Sequence, residues 1–320
     1  MATRFDVLHV GSACRDVDPT DPRGWRLGGG VTYSALTTAR LGLRTAAVIG
    51  VDPEARAAHE FGALQAAGVE MLFVPLSEGP IYRNVDSPSG RVQTCIQVGV
   101  PLPVPILPDD LATAPAWSMV PVAGELGDAW AGAIPEDAYV AVAWQGMLRQ
   151  LAAGRVVTPS PPVATPLLDR AQLVGVSHHD LDGRTPIDSL LRLLGRDARL
   201  LITRGGEGGL LVTARSNASP TTVRYEPARA QGEVDPTGAG DTFLAALLAT
   251  VVRPDLLGRD RAGPSLDLPF AAAAGSLVVE GSGLAGVPDL SGVVGRLETG
   301  GAVERTHASD ETHVGVNRRD

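Results

Sequence analysis

Val234 to Val252 reads VDPTGAGDTFLAALLATVV, a glycine-rich turn running into an apolar helix with a carboxylate, Asp241, at the junction. Gly238, Ala239 and Gly240 carry almost no side chain, so backbone N–H groups there can approach a ligand closely. The first N–H groups of a helix have no partner within it, and the helix dipole adds positive potential. Together these make an anion site. A carboxylate beside an anion site is unfavourable unless it has a task. The natural task is to take a proton from a hydroxyl while the amides hold the charge that builds on a transferring phosphoryl group. Asp is equally a favoured helix N-cap, so Gly-x-Gly-Asp by itself leaves capping and catalysis open.

The longer string DPTGAGDTF, starting at Asp235, resembles the signature of the ribokinase-like (PfkB) family of carbohydrate and nucleoside kinases, D-T-x-G-A-G-D. Pro236 stands where that family often has Thr. GGGVTYSALTTARLG, Gly28 to Gly42, resembles the family's second signature, a glycine pair followed by a small-residue helix and a closing Leu-Gly. A dinucleotide loop is excluded there, because no G-x-G-x-x-G is present and Gly28 does not directly follow the first strand. The resemblance implies that Gly28, Gly29 and Tyr33 meet the acceptor substrate, with Tyr33 where relatives commonly have Asn. It also implies that Asp16, in GSACRD, accepts hydrogen bonds from acceptor hydroxyls, as a carboxylate can. Ser177-His178-His179-Asp180 stands where many relatives have Asn-x-x-Glu, so Asp180 is expected to hold a hydrated Mg²⁺ through water. His178 and His179 lack any Cys/His spacing that would support zinc. TRGGEGG, from Thr203, resembles the family's nucleotide loop, which implies that Thr203, Gly205 and Gly208 bind the donor together with Gly238 and Gly240. Gly281 matches the region that flanks adenine, and Asp235 matches an acid that helps form a monovalent-cation site, such as K⁺, in some relatives. CRDV (Cys14 to Val17), PVAGEL (Pro121 to Leu126) and QGMLR (Gln145 to Arg149) look like the myo-inositol kinase-like branch.

Elements must hold these residues together. Phe5 to Val10, Thr45 to Ile49 and Val69 to Val74 read as strands, and Val31 to Leu41 and Pro53 to Ala67 as helices ending at Gly42 and Gly68. Ala138 to Ala143, Leu173 to Val176 and Leu200 to Thr203 continue the strands, with a helix over Ile187 to Leu194. This alternation predicts a parallel sheet with helices on both faces. Gly209 to Thr213 and Thr222 to Tyr225 read as a strand pair, and Leu268 to Val279 and Leu290 to Leu297 as helices. Ile81 to Val98 breaks the rhythm. It reads as a polar hairpin turning at Ser87 to Gly90, and it is expected to form, with Gly24 to Leu27, a reduced lid in which Asn84 and Gln93 face the substrate. Pro101 to Pro115 reads as a surface connection.

The composition bounds the partners. The formal net charge is −9 and the pI about 5.2, which argues against nucleic acid or an anionic membrane as the main partner. There is no lysine; all 27 basic residues are arginine. That removes the Walker A motif and any Schiff-base lysine, so a phosphate can meet only arginine, metal or amide. Cys14 and Cys95 form no spacing motif, and no apolar run reaches transmembrane length, so a cytosolic chain is expected.

The expected architecture is α/β: a ribokinase-like three-layer α/β/α sandwich with a mostly parallel sheet and a small β lid over residues 1–298, and a disordered tail over residues 299–320. The expected activity is transfer of phosphate from ATP, with Mg²⁺, to a hydroxyl of a small polyol, cyclitol or sugar. In this expectation Asp241 is the base and Gly238, Ala239 and Gly240 form the anion hole, on a monomer or homodimer. A nucleoside kinase and a non-catalytic sugar or nucleotide sensor on the same fold are the alternatives.

Overall fold

The computed structural model describes residues 3–87, 90–214, 219–257 and 266–299. In chain order its strands are β1 (Val7–Ser12), β2 (Cys14–Val17), β3 (Trp25–Gly28), β4 (Thr45–Val51), β5 (Glu70–Pro75), β6 (Ile81–Ser87), β7 (Gly90–Gln97), β8 (Ala116–Met119), β9 (Tyr139–Ala143), β10 (Arg149–Gln150), β11 (Arg155–Val156), β12 (Thr158–Pro159), β13 (Leu173–Ser177), β14 (Arg199–Thr203), β15 (Gly209–Thr213) and β16 (Thr221–Tyr225). β1 and β4 are buried at every position. Strands apolar on both faces can be covered only by helices on both sides, which is the parallel arrangement. The main sheet accordingly runs β16-β15-β14-β13-β9-β8-β1-β4-β5. Every pair from β14 to β5 is parallel, and β15 and β16 add an antiparallel edge.

Alternation along the strands divides the core. Leu8, Val10, Val140, Val142, Leu200 and Ile202 face one layer, which holds Leu111, Trp130, Leu167 and Ile187 from short helices. Val7, Ala141 and Leu201 face the opposite layer, with the signature helix Ala239–Val252 and the helix Leu268–Val278. The signature helix is apolar all round because it is enclosed; Phe243 to Val251 are buried without a break. Ala271 to Ala274 are buried against it, small enough to let the two axes approach. Among the described residues no helix is long and apolar enough to cross a membrane.

A second sheet, β11-β7-β6-β2-β3, forms the lid. It is larger than the expected lid, because it also contains β2, parallel to β6 and antiparallel to β3, and β11, antiparallel to β7. CRDV is too short and too polar to announce a strand; only its distant pairing partners make it one. The region Pro53 to Ala67 is two helices rather than one. Asp52 caps Pro53–Arg56 by accepting from Ala55 N at 2.7 Å, and Phe61–Ala66 starts after a break. The expected connection 101–115 contains the helix Asp109–Ala112, and β8, Ala129–Ala133 and Pro166–Arg170 are elements the sequence reading did not mark. The helix from Ile187 stops at Leu191. The central residues of the turn Ser87 to Gly90, and the tail from 300 onward, lie outside the described residues; Thr299 closes the last helix.

The end of β1 is held by one buried acid. Glu125 accepts from the backbone N–H groups of Ser12 (2.9 Å), Val122 (3.0 Å) and Ala123 (2.8 Å). Burial pushes its pKa up, and these hydrogen bonds oppose the shift. Glu125→Ala leaves buried donors without an acceptor and is expected to destabilise the protein by about 3 kcal/mol. A urea unfolding midpoint unchanged from wild type would refute this role.

Candidate active site

The signature helix begins at Gly238, whose backbone is left-handed at φ 82°, and no side chain caps it. A Cβ at Gly238 would lie 2.1 Å from the Tyr33 ring, so packing as well as conformation requires glycine. Asp241 stands in the first turn and not at the cap position. Its helix-capping reading therefore fails, and the first amides of the helix are left to face the cleft. A Cβ at Gly240 would meet nothing within 4 Å, so the turn is open on that side.

The turn before the Gly30–Arg40 helix presses the two key carboxylates into place. A Cβ at Gly28 would fall 2.2 Å from Asp16 Oδ2, and one at Gly30 would fall 2.6 Å from Asp241 Oδ1. Gly29, at φ 103°, lies against the Ser12 carbonyl, where a Cβ would be 2.6 Å away. The glycines thus make room for protein carboxylates and backbone.

Asp16 is 6% exposed. Asn84 Nδ2 donates to its Oδ1 at 3.2 Å, and Gln93 Nε2 donates to Asn84 Oδ1 at 2.9 Å. The two lid residues singled out from the sequence therefore converge on the acid expected to read the acceptor. Burial pushes the Asp16 pKa up to about 6 against the pull of Arg26, Arg91 and Arg149. Burial likewise raises Asp241 to about 6; Arg149 lowers it and Asp180 raises it. Asp180 is raised by burial too, opposed by Arg149 and by Gln145, whose Nε2 reaches both carboxylate oxygens at 3.1 and 3.2 Å.

Arg149 is thus the cation common to Asp16, Asp180 and Asp241. Its Nη1 donates to the Val122 carbonyl at 3.1 Å. The sequence reading gave no role to Gln145 or Arg149. Their signal lay in QGMLR, but only the fold shows that this 3₁₀ turn, Gln145–Leu148, meets strands far away in the chain.

The remaining expected residues are placed as follows. Tyr33 is 1% exposed and packs beneath the Gly238 turn, which it supports. Gly208 is required by the Tyr225 carbonyl, 2.1 Å from where a Cβ would stand, and Gly281 by Gly286 Cα at 2.5 Å. Thr203 Oγ1 lies 3.5 Å from the Val176 carbonyl; Gly205, at φ 56°, is open around its Cα. His178 and His179 stack at 3.8 Å, and His178 Nδ1 pairs with the Thr203 carbonyl at 3.1 Å, a structural arrangement.

Asp235, expected to ligate a monovalent cation, instead carries an arginine. Arg26 Nη1 lies 2.7 Å from its Oδ2, which also accepts from Gly283 N at 3.2 Å, while Oδ1 accepts from Thr237 N at 3.0 Å. A K⁺ ion does not fit a carboxylate so engaged. Among the described residues no group of three or more His, Cys, Asp or Glu side chains could hold a metal ion. Asp180 alone suits Mg²⁺ bound chiefly by phosphates and water.

An uncapped helix N-terminus with a carboxylate in its first turn is the arrangement a phosphotransferase site requires. A sequence profile of pfkB family carbohydrate kinases matches residues 120–289, just over half of the 320-residue chain. The chain belongs to this family of carbohydrate kinases. No curated protein matches it by sequence. Among solved structures, it is similar to a pyrophosphate-dependent kinase of the ribokinase family complexed with a pyrophosphate analog and myo-inositol, with TM-score 0.64 and 20% identity over 87% of this chain and 96% of that one. It is also similar to Arabidopsis thaliana ribokinase complexed with ribose and ATP, with TM-score 0.64 and 19% identity over 92% and 99% of the two chains. The Methanocaldococcus jannaschii nucleoside kinase gives TM-score 0.62 and 16% identity over 93% and 99%. At these identities the likeness is one of fold.

Two outcomes follow for the site. Asp16 and Asp241 are neutral below about pH 6 and ionised above it, and both are useful only when ionised. The kcat/KM for the acceptor should therefore rise with pH through about 6, with a limiting slope above one; a profile flat from pH 5 to 8 contradicts this. Gly30→Ala pushes a methyl against Asp241 and should cut kcat by about 100-fold while leaving the fold intact by circular dichroism.

Proposed function

We propose that this kinase transfers a phosphoryl group from ATP to a hydroxyl of a small polyol, cyclitol or sugar. The observation that carries the proposal is the placement of Asp241 in the first turn of a helix that no side chain caps, with one glycine turn packed against both its carboxylate, at Gly30, and that of Asp16, at Gly28. Asp16, steadied by Asn84, accepts hydrogen bonds from two acceptor hydroxyls and so favours a polyol. Asp241 takes the proton of the attacking hydroxyl as its oxygen bonds to phosphorus and the donor's bridging oxygen leaves with its electron pair. The amides of Gly238, Gly240 and Asp241 hold the negative charge of the transferring group, while that of Ala239 donates to the Pro236 carbonyl at 3.3 Å. Asp180 would hold Mg²⁺ through water, and the ion would supply neutralisation of phosphate charge. Similarity to kinases described with myo-inositol and with ribose supports a polyhydroxylated acceptor, and the QGMLR and CRDV stretches favour a cyclitol.

Turnover of ATP, and separately of pyrophosphate, against a panel of cyclitols, pentoses, hexoses and nucleosides tests this reading. A nucleoside as the best acceptor, or binding without turnover, would replace it with one of the two alternatives. Asp241→Asn should lower kcat by about 10²–10⁴-fold and leave donor binding nearly intact; a variant with more than about a tenth of the wild-type rate removes Asp241 from the role of base.

A further inference from the structure

Arg26 stands on β3, in a lid strand, directly across from Asp16 on β2. It reaches over the cleft to the donor turn, with Nη1 at 2.7 Å from Asp235 Oδ2 and 3.4 Å from Ser282 Oγ. Asp235 is 6% exposed, and it also accepts from the backbone amides of Thr237 and Gly283. A second lid residue, Arg91 on β7, donates to Thr237 Oγ1 at 3.1 Å and lies 3.8 Å from Asp235 Oδ1. A buried carboxylate under an anion-binding turn needs a cation, because without one its charge opposes the incoming phosphate. In this chain, the cation is a side chain.

We propose that Arg26 is the built-in cation of the donor turn, delivered by the lid, and that this kinase therefore needs no monovalent metal ion. Arg26 is a positioning residue: it fixes Asp235, and Asp235 fixes the Thr237 and Gly283 amides on either side of the phosphate cradle. The guanidinium suits the place better than an ion, since its Nη1 serves Asp235 and Ser282 together and it never loses its charge. Because the same strand pair carries Asp16, lid closure brings the acceptor's acid and the donor's cation into register in one movement.

The kinetic arm of the test rests on the phosphotransfer proposed above; the melting arm does not. Wild type, Arg26→Lys and Arg26→Ala are compared in KCl, NaCl and tetramethylammonium chloride at equal ionic strength. Wild-type kcat should agree within about twofold across the salts, and Arg26→Ala should lose about tenfold or more in tetramethylammonium, with part restored by K⁺ and with Arg26→Lys intermediate. Without any substrate, K⁺ should raise the melting temperature of Arg26→Ala by about 2 °C or more relative to tetramethylammonium and leave wild type unmoved. Activation of wild type by K⁺ of about fivefold or more, or a K⁺-induced rise in its melting temperature, overturns the proposal. So does an Arg26→Ala enzyme as fast as wild type in tetramethylammonium. Should Arg26→Ala fail to fold, the wild-type salt comparison still decides. If no donor and acceptor pair turns over, the phosphotransfer reading fails while the melting arm judges Arg26 alone.

Discussion

Three carboxylates in one cleft govern the rest of the structure. Asp16, Asp180 and Asp241 lose hydration in the folded protein, and Asp180 further opposes the charge of Asp241, so each tends toward its neutral form. Base and hydroxyl-acceptor chemistry need them ionised near neutrality. Arg149 is the compromise, because a charge shared by all three lowers each without neutralising any one through a dedicated pair. With no lysine in the chain, that charge is a planar guanidinium that cannot deprotonate. The resulting values near 6 for Asp16 and Asp241 leave them charged at pH 7 and still basic enough to take a proton.

Crowding carboxylates together also requires space, and backbone without side chains supplies it. Gly28 and Gly30 each stand where a single methyl would strike a carboxylate oxygen. Gly238 is pressed onto Tyr33, so the anion turn rests on a buried aromatic and cannot sink into the core. Glu125 fixes the chain where β1 gives way to the lid strand that carries Asp16. The site is therefore rigid where charge must be placed and open at Gly240, where a ligand must enter.

Much of this was legible in the sequence. The apolar runs became the strands of the parallel sheet, and DPTGAGDTF sits at a loop-to-helix boundary with its acid inside the first turn. What was not legible shares one cause: it depends on pairing between distant segments. CRDV reads as a loop until β6 and β3 flank it. AWSM is too short for periodicity to mark, and becomes β8 because β1 and β9 bury it. Tyr33 falls within a motif that implied ligand contact, but the helix phase turns it inward under Gly238. Arg149 and Arg26 look like ordinary surface arginines in sequence, since nothing local to either reports the acids they meet.

The lid then takes on a meaning beyond covering the cleft. Asp16, Asn84, Gln93, Arg26 and Arg91 all belong to one hydrogen-bonded sheet. One side of that sheet's chemistry addresses the acceptor through Asp16, and another addresses the donor turn through Asp235 and Thr237. An opened lid would withdraw the hydroxyl reader and the donor-turn cation at the same moment. Hydrolysis by stray water is then disfavoured twice: water enters mainly when the lid is open, and in that state the uncompensated Asp235 charge opposes the phosphate on which water would act. The placement of charge on one sheet thus ties the acid expected to read the acceptor to the turn expected to hold the donor, through Asp16 and Arg26 paired across neighbouring strands.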